Sequence, residues 1–311
     1  MIAAIELLAG WLLLWKGGDL LVDAADRLGR SHGVPATLAG VFILGFGTSA
    51  PELATTVLAT IEGKPAIALG NVVGSNIANV ALILGITALI ATIPVNRFLQ
   101  RVEIPFCVAI SGIAWFLAYQ GGIDRWDGVI LLSLFGGYGL FAMWTYKHRA
   151  DMPTEEGDEV PPKRPAYDLS IVVLGLVSVV GGAWLFIEGA ATVADWIGVS
   201  DGVIGLTLVA LGTSLPELAT GIAAIRADKP DLALGNVIGS NIFYLLLVLG
   251  VAAMLDPQQP EARMFSVDFP LMTGLVVFVL VLGVFERIPR WAGATLALTY
   301  VAYIVGFGAS L

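Results

Sequence analysis

The chain has one cysteine, Cys107, and two histidines in 311 residues. A lone cysteine excludes an internal disulfide, and the absence of any Cys/His cluster excludes a zinc or iron–sulfur site. Charged residues are scarce, at 13%, which excludes ordinary soluble domains although the length would hold two. Basic residues are outnumbered 16 to 25 by acidic ones, for a net charge of −9; that balance excludes a nucleic-acid footprint. No stretch resembles a cleavable signal peptide: the first apolar run starts at Ile2 and continues past that length, so it reads as a retained helix. Long polar runs are also lacking. Only 147–168 is polar enough for a linker, with Asp151, Glu155, Glu156, Asp158 and Glu159. It has no spaced Asp/Asn–Gly pattern of an EF-hand and reads as a solvated connection.

What is present is apolar: 57% of residues are hydrophobic and the mean hydropathy is +0.87. A spanning helix needs about 20 predominantly apolar residues. Ten segments qualify, near 2–26, 35–61, 66–92, 103–120, 127–146, 169–195, 200–225, 231–255, 266–285 and 290–310. An all-α integral membrane protein is expected.

One stretch occurs twice. Gly47-Thr48-Ser49-Ala50-Pro51-Glu52 recurs as Gly212-Thr213-Ser214-Leu215-Pro216-Glu217, an offset of 165 residues (213 minus 48). At that offset about half the positions of 33–85 and 198–250 are identical without a gap, including Asn71, Gly74, Ser75, Asn76 and Ile77 against Asn236, Gly239, Ser240, Asn241 and Ile242. Pro105 matches Pro270, each with an acid two residues before it, and Arg125-Trp126 matches Arg290-Trp291. The chain therefore divides into a first five-helix repeat over 1–146, a linker over 147–165 and a second repeat over 166–311. Five is odd, so the second repeat enters the membrane from the opposite side. Inverted repeats of this kind carry a substrate site at the midplane.

With the N-terminus outside, inner loops and helix ends hold Arg27, Arg30, Arg97, Arg101, Lys147, Arg149, Lys163, Arg164, Arg226, Lys229, Arg287 and Arg290. The outer ones hold only Lys64, Arg125 and Arg263. The positive-inside rule thus places both termini outside and 147–168 in the cytoplasm.

Glu52 and Glu217 fall near the centres of the second and seventh segments. An ionised carboxylate there costs a few kcal/mol or more, so such residues are rare and functional. Two facing carboxylates share a proton or need a cation. Pro51 and Pro216 lack an N–H, freeing the carbonyls of Gly47 and Gly212, and Thr48, Ser49, Thr213 and Ser214 add oxygens. An oxygen-only set favours Ca²⁺ or Na⁺ over zinc or copper. Ser75 and Asn79, four apart, share one helix face; their counterparts are Ser240 and Tyr244. Glycines at 70, 74, 85, 235, 239 and 250 let backbones approach closely in lipid. Asn71, Asn236, Asn76 and Asn241 are expected to satisfy broken backbone. Glu103 and Asp268 are expected to cap helices, and Lys16 to pair with Asp19 at i, i+3 or else to line an aqueous path, the pair being the favoured reading.

The paired GTSxPE and GNxxGSN segments resemble the two α-repeats of the calcium/cation antiporter superfamily, in its sodium/calcium exchanger branch and compact prokaryotic form. The resemblance covers essentially the whole chain. It implies ten helices, a ligand cluster from the second, third, seventh and eighth, and exchange of Ca²⁺ against Na⁺ as the first and sixth slide past the rest. Glu52 and Glu217 would bind Ca²⁺ with the backbone oxygens of Thr48 and Thr213. Ser49, Ser75, Asn79, Ser214 and Ser240, with the Gly45 and Ala210 carbonyls and both acids, would form the Na⁺ sites. The family has Asn or Asp where this chain has Tyr244, so the number of Na⁺ ions and the driving ion turn on that position; Tyr244 argues against K⁺ co-transport. No enzyme activity, cofactor, nucleic acid or obligatory protein partner is implied. The partners are membrane lipid and inorganic cations, and the location is the plasma or inner membrane. Coupling to H⁺ or Li⁺ on the same scaffold, and a cation channel or leak, are the alternatives.

Overall fold

The computed structural model describes residues 2–32, 34, 36–148, 164–196 and 213–308, nearly all of them helical. In chain order the main helices are α1 (Ile2–His32), α2 (Gly40–Thr48), α3 (Ala50–Ile61), α4 (Pro65–Ile90), α5 (Leu99–Tyr119) and α6 (Arg125–His148). They continue with α7 (Pro165–Trp196), α8 (Leu215–Arg226), α9 (Pro230–Leu255), α10 (Met264–Gly283) and α11 (Arg290–Gly308). Among the described residues α4, α5, α7, α9 and α10 are long and apolar enough to cross a bilayer, and α2 with α3 makes a sixth span bent by 45°. Helices α1, α6 and α11 occupy three more of the expected segments at 31, 24 and 19 residues. The remaining segment, near 200–225, is described only from Thr213 onward, as α8.

Local sequence sets the breaks. Pro65 and Pro230 open α4 and α9, where a missing N–H leaves no helix bond unmade. The turns before them need a left-handed residue: Gly63 (φ 72°) in the first repeat and Asp228 (φ 58°) at the matching place in the second. Asp is one of the few side chains that tolerates it.

The chain forms two compact units, one from Met1–Pro51 and Glu159–Asn236, the other from Glu52–Asp158 and Val237–Leu311. Each draws on both sequence repeats.

In the first unit α1 packs along α7 through glycines. A Cβ on Gly10 would lie 2.6 Å from the Phe186 nitrogen, and one on Gly182 would lie 2.8 Å from the Leu14 nitrogen. Lipid supplies no hydrophobic drive between helices, so close main-chain contact is what holds such a pair. Further along α1, Asp19 pairs with Arg226 at 3.0 Å, Asp26 with Lys229 at 3.0 Å and Arg27 with Asp168 at 2.9 Å. The expected Lys16–Asp19 pair is therefore corrected. Arg226, at the end of α8, reaches Asp19 while its guanidinium lies 4.0 Å from the Trp15 ring centre, a contact that local spacing along α1 does not encode.

In the second unit α4 and α9 are the most enclosed spans, 72% and 83% buried. Gly85 of α4 meets Gly293 of α11, and Gly250 of α9 meets Gly128 of α6, each as main-chain contact. Both pairs obey the 165-residue offset with the partners exchanged. Gly70 and Gly74 make no such approach: a Cβ on Gly70 would meet only the Met264 methyl at 3.7 Å, and one on Gly74 nothing within 4 Å. Two short strands, β1 (Ile93–Pro94) and β2 (Arg287–Ile288), pair antiparallel with Ile93 opposite Ile288. An isolated bridge joins Ile123 to Gln258. Adding 165 to 93 and 123 gives 258 and 288, so the two pairings are images of each other with the repeats swapped. π-Helical turns recur the same way, at Asn79–Leu84 and Tyr244–Val248 and at Leu99–Glu103 and Met264–Asp268.

Glu103 and Asp268 make no capping bond to the helices they precede. This corrects the expectation of caps. The preceding π turns are already helical, which leaves no free helix end at either acid.

Candidate cation-binding site

In the first unit, α2 begins as a π-helical segment, Gly40–Gly45, and ends at Ser49, which leaves helical geometry at φ −85°, ψ 3°. A π turn and a nearby proline are both recognised causes of a kink. The hydroxyls turn back on the segment. Thr48 Oγ1 donates to the Leu44 carbonyl at 2.8 Å and Ser49 Oγ to the Gly45 carbonyl at 2.6 Å. Ser49 Oγ also lies 3.3 Å from Glu217 Oε1, so an element of one repeat touches the acid of the other. Glu217 is fully buried in the first turn of α8, where the helix N-terminus favours negative charge. Ser214, just before that helix, is buried, and its Oγ has no hydrogen-bond partner among the described residues. Thr213 is half-buried. Ala210 and Gly212 lie outside the described residues.

In the second unit Glu52, 1% exposed, occupies the first turn of α3. Ser75 and Asn79 are buried on α4, Ser240 and Tyr244 on α9. Asn79 Nδ2 donates to Asn241 Oδ1 at 3.0 Å, and Asn241 Nδ2 to the Asn76 carbonyl at 3.4 Å, tying α4 to α9. Asn79 Oδ1 is buried with no hydrogen-bond partner among the described residues. Tyr244 opens the π turn of α9, as Asn79 opens that of α4. Its ring lies 6.5 Å from Phe243, which stands 6.2 Å from Phe135, so an aromatic group occupies what is an amide position in the other repeat.

The asparagines of both GNxxGSN segments do bond backbone. Asn71 Nδ2 donates to the Glu52 carbonyl (3.3 Å) and Thr56 Oγ1 (2.9 Å). Asn236 Nδ2 donates to the Glu217 carbonyl (3.4 Å) and Thr220 Oγ1 (3.0 Å). Asn76 donates to Val72 in its own helix. The threonine partners escaped sequence reasoning because they are not at matching places: Thr56 corresponds to Gly221 and Thr220 to Thr55.

Chemically, each unit holds one buried acid of the repeated GTSxPE motif, Glu217 or Glu52, with neutral hydroxyl, amide and carbonyl oxygens. Carboxylates inside an apolar chain are costly unless neutralised. Hard oxygen donors of this kind suit Ca²⁺ and Na⁺.

The model for the sodium/calcium exchanger protein family matches residues 2–144 and 168–308. The putative antiporter CaxA of Alkalimonas amylolytica is 35% identical over 97% of this chain and 98% of its own. The sodium/calcium exchanger MaX1 of Methanosarcina acetivorans is 31% identical over 96% of each. The solved structure of the sodium-calcium exchanger NCX_Mj soaked with zero Na⁺ and Ca²⁺ superposes with a TM-score of 0.86 at 31% identity, covering 98% of this chain and 99% of that one.

Proposed function

Because this chain belongs to the sodium/calcium exchanger family, we propose that it is a secondary active antiporter exchanging Ca²⁺ for Na⁺ by alternating access. The observation that carries this reading is the matched pair of acids, Glu52 and Glu217, each buried in the first turn of a helix opened by a proline motif. In this reading both carboxylates ligate Ca²⁺ with the main-chain oxygens of Thr48 and Thr213. Ser49, Ser75, Asn79, Ser214 and Ser240, with the Gly45 and Ala210 carbonyls, complete the Na⁺ sites. Ca²⁺ and Na⁺ compete for the same two acids, so each displaces the other. The protein changes its open side only when the buried charge is neutralised, since a bare carboxylate in a low-dielectric interior is costly. The glycine-packed α1 and α7 move to alternate access. Both termini lie outside and 147–168 inside, in keeping with the Lys/Arg asymmetry.

Tyr244 favours a second reading, in which H⁺ or Li⁺ replaces Na⁺ as the coupling ion. A phenol at the place of Asn79 is a weaker Na⁺ ligand than an amide oxygen.

Radioactive Ca²⁺ uptake into proteoliposomes loaded with Na⁺, K⁺ or choline, at imposed pH gradients and clamped voltage, decides between them. Uptake only from Na⁺-loaded vesicles supports sodium/calcium exchange. Uptake driven by a proton gradient supports the second reading, and uptake indifferent to the internal ion makes the site a leak.

A further inference from the structure

Resting on the exchange reading above, we infer that Asn71 and Asn236 are positioning residues for Glu52 and Glu217, and that Asn236 has the larger effect. An asparagine side chain offers two N–H donors and one carbonyl acceptor. Fully buried Asn236 directs its nitrogen to the Glu217 carbonyl and Thr220 Oγ1, and its Oδ1 accepts from Thr48 Oγ1 at 3.4 Å. Thr220 in turn donates to the Pro216 and Glu217 carbonyls at 2.9 and 3.0 Å. The amide is thus locked onto the turn that carries the acid, with its nitrogen on the Glu217 carbonyl and the Thr220 hydroxyl. Asn71 holds the turn carrying Glu52 by the corresponding bonds to the Glu52 carbonyl and Thr56.

The two grips differ. Their hydroxyl anchors sit one residue apart in the repeat register, a rotation of about 100° around the helix. Asn236 also holds Thr48, whose main-chain oxygen is a proposed Ca²⁺ ligand, so one amide sets the place of two ligands from opposite repeats. Identical asparagines at matched positions are therefore unequal in function.

The test is calorimetric titration of Ca²⁺ into the purified full-length protein, with the thermal midpoint of each variant measured alongside. Asn236→Ala is expected to weaken Ca²⁺ binding by about 10–100-fold, the usual effect of losing a group that orients a metal ligand, and Asn71→Ala by less. Asn76→Ala is the control: it deletes a buried side-chain amide that, among the described residues, bonds only Val72 in its own helix, and should lower the midpoint without weakening binding. Asn236→Ser, too short to reach the Glu217 carbonyl but still polar, reads the same loss if the alanine variant does not fold. Wild-type Ca²⁺ affinity in the Asn236 variants, or an equal loss in Asn76→Ala, overturns the positioning role. A wild-type protein that binds no Ca²⁺ overturns the exchange reading itself, which separates the two failures.

Discussion

Tyr138 donates a 2.7 Å hydrogen bond to the carboxyl of Glu103, 35 residues earlier in the chain. At the matching places 165 residues on, Tyr303 lies beside Asp268, which has Arg263 at 3.5 Å. Glu103 is fully buried and its Oε1 has no hydrogen-bond partner among the described residues. Removing a bond from a buried acid costs about 1–3 kcal/mol. Tyr138→Phe should therefore lower the thermal midpoint in detergent distinctly, and Tyr303→Phe by less because Arg263 remains. Equal shifts would mean that Arg263 contributes nothing there.

Glu52→Gln and Glu217→Gln should each reduce Ca²⁺ uptake by at least about a hundredfold while leaving the protein folded, since Ca²⁺ affinity follows the charge of its ligands. Size-exclusion profiles and uptake measured on the same preparations check this. Wild-type flux in either variant removes that acid from the site.

Tyr244→Asn or Tyr244→Asp restores the type of oxygen that Asn79 provides in the first repeat. Either should make Ca²⁺ uptake depend more steeply on internal Na⁺. An unchanged dependence would make this fully buried ring a packing element.

Gly182→Ala should destabilise strongly, because its Cβ would lie 2.8 Å from the Leu14 main chain. Overpacking of this kind costs roughly 1–3 kcal/mol or more. Neighbouring Gly181 has nothing within 4 Å, so Gly181→Ala should be tolerated. Comparing the two thermal midpoints isolates the α1–α7 contact from helix propensity.

Asp19 and Arg226 are both partly exposed, so their pair should contribute less than about 1 kcal/mol in a double-mutant cycle and weaken with salt. Arg226→Gln should cost more than Asp19→Asn, since it also gives up the stacking on Trp15. A coupling of several kcal/mol would show that the pair is far better shielded than its exposure indicates.

The sequence by itself determined the spans, the breaks, the repeat and the two acids. Hydropathy, prolines and the offset from Thr48 to Thr213 are linear properties, legible without knowing which helices touch. The expectation that the asparagines serve backbone was legible too, because an amide beside a proline-broken segment has carbonyls to bond. Tertiary structure decided the choice of partner. Asp19 had a candidate three residues away in Lys16, yet takes Arg226, 207 residues on. Glu103 and Asp268 had the spacing of caps, yet a π turn leaves no free helix end at either; Tyr138 from the next helix claims Glu103, and Arg263 pairs with Asp268. Matching asparagines took threonines one register apart. A polar side chain in an apolar interior bonds whichever group the packing brings within about 3 Å, and helix rotation and crossing set that distance, which no spacing along one chain segment encodes.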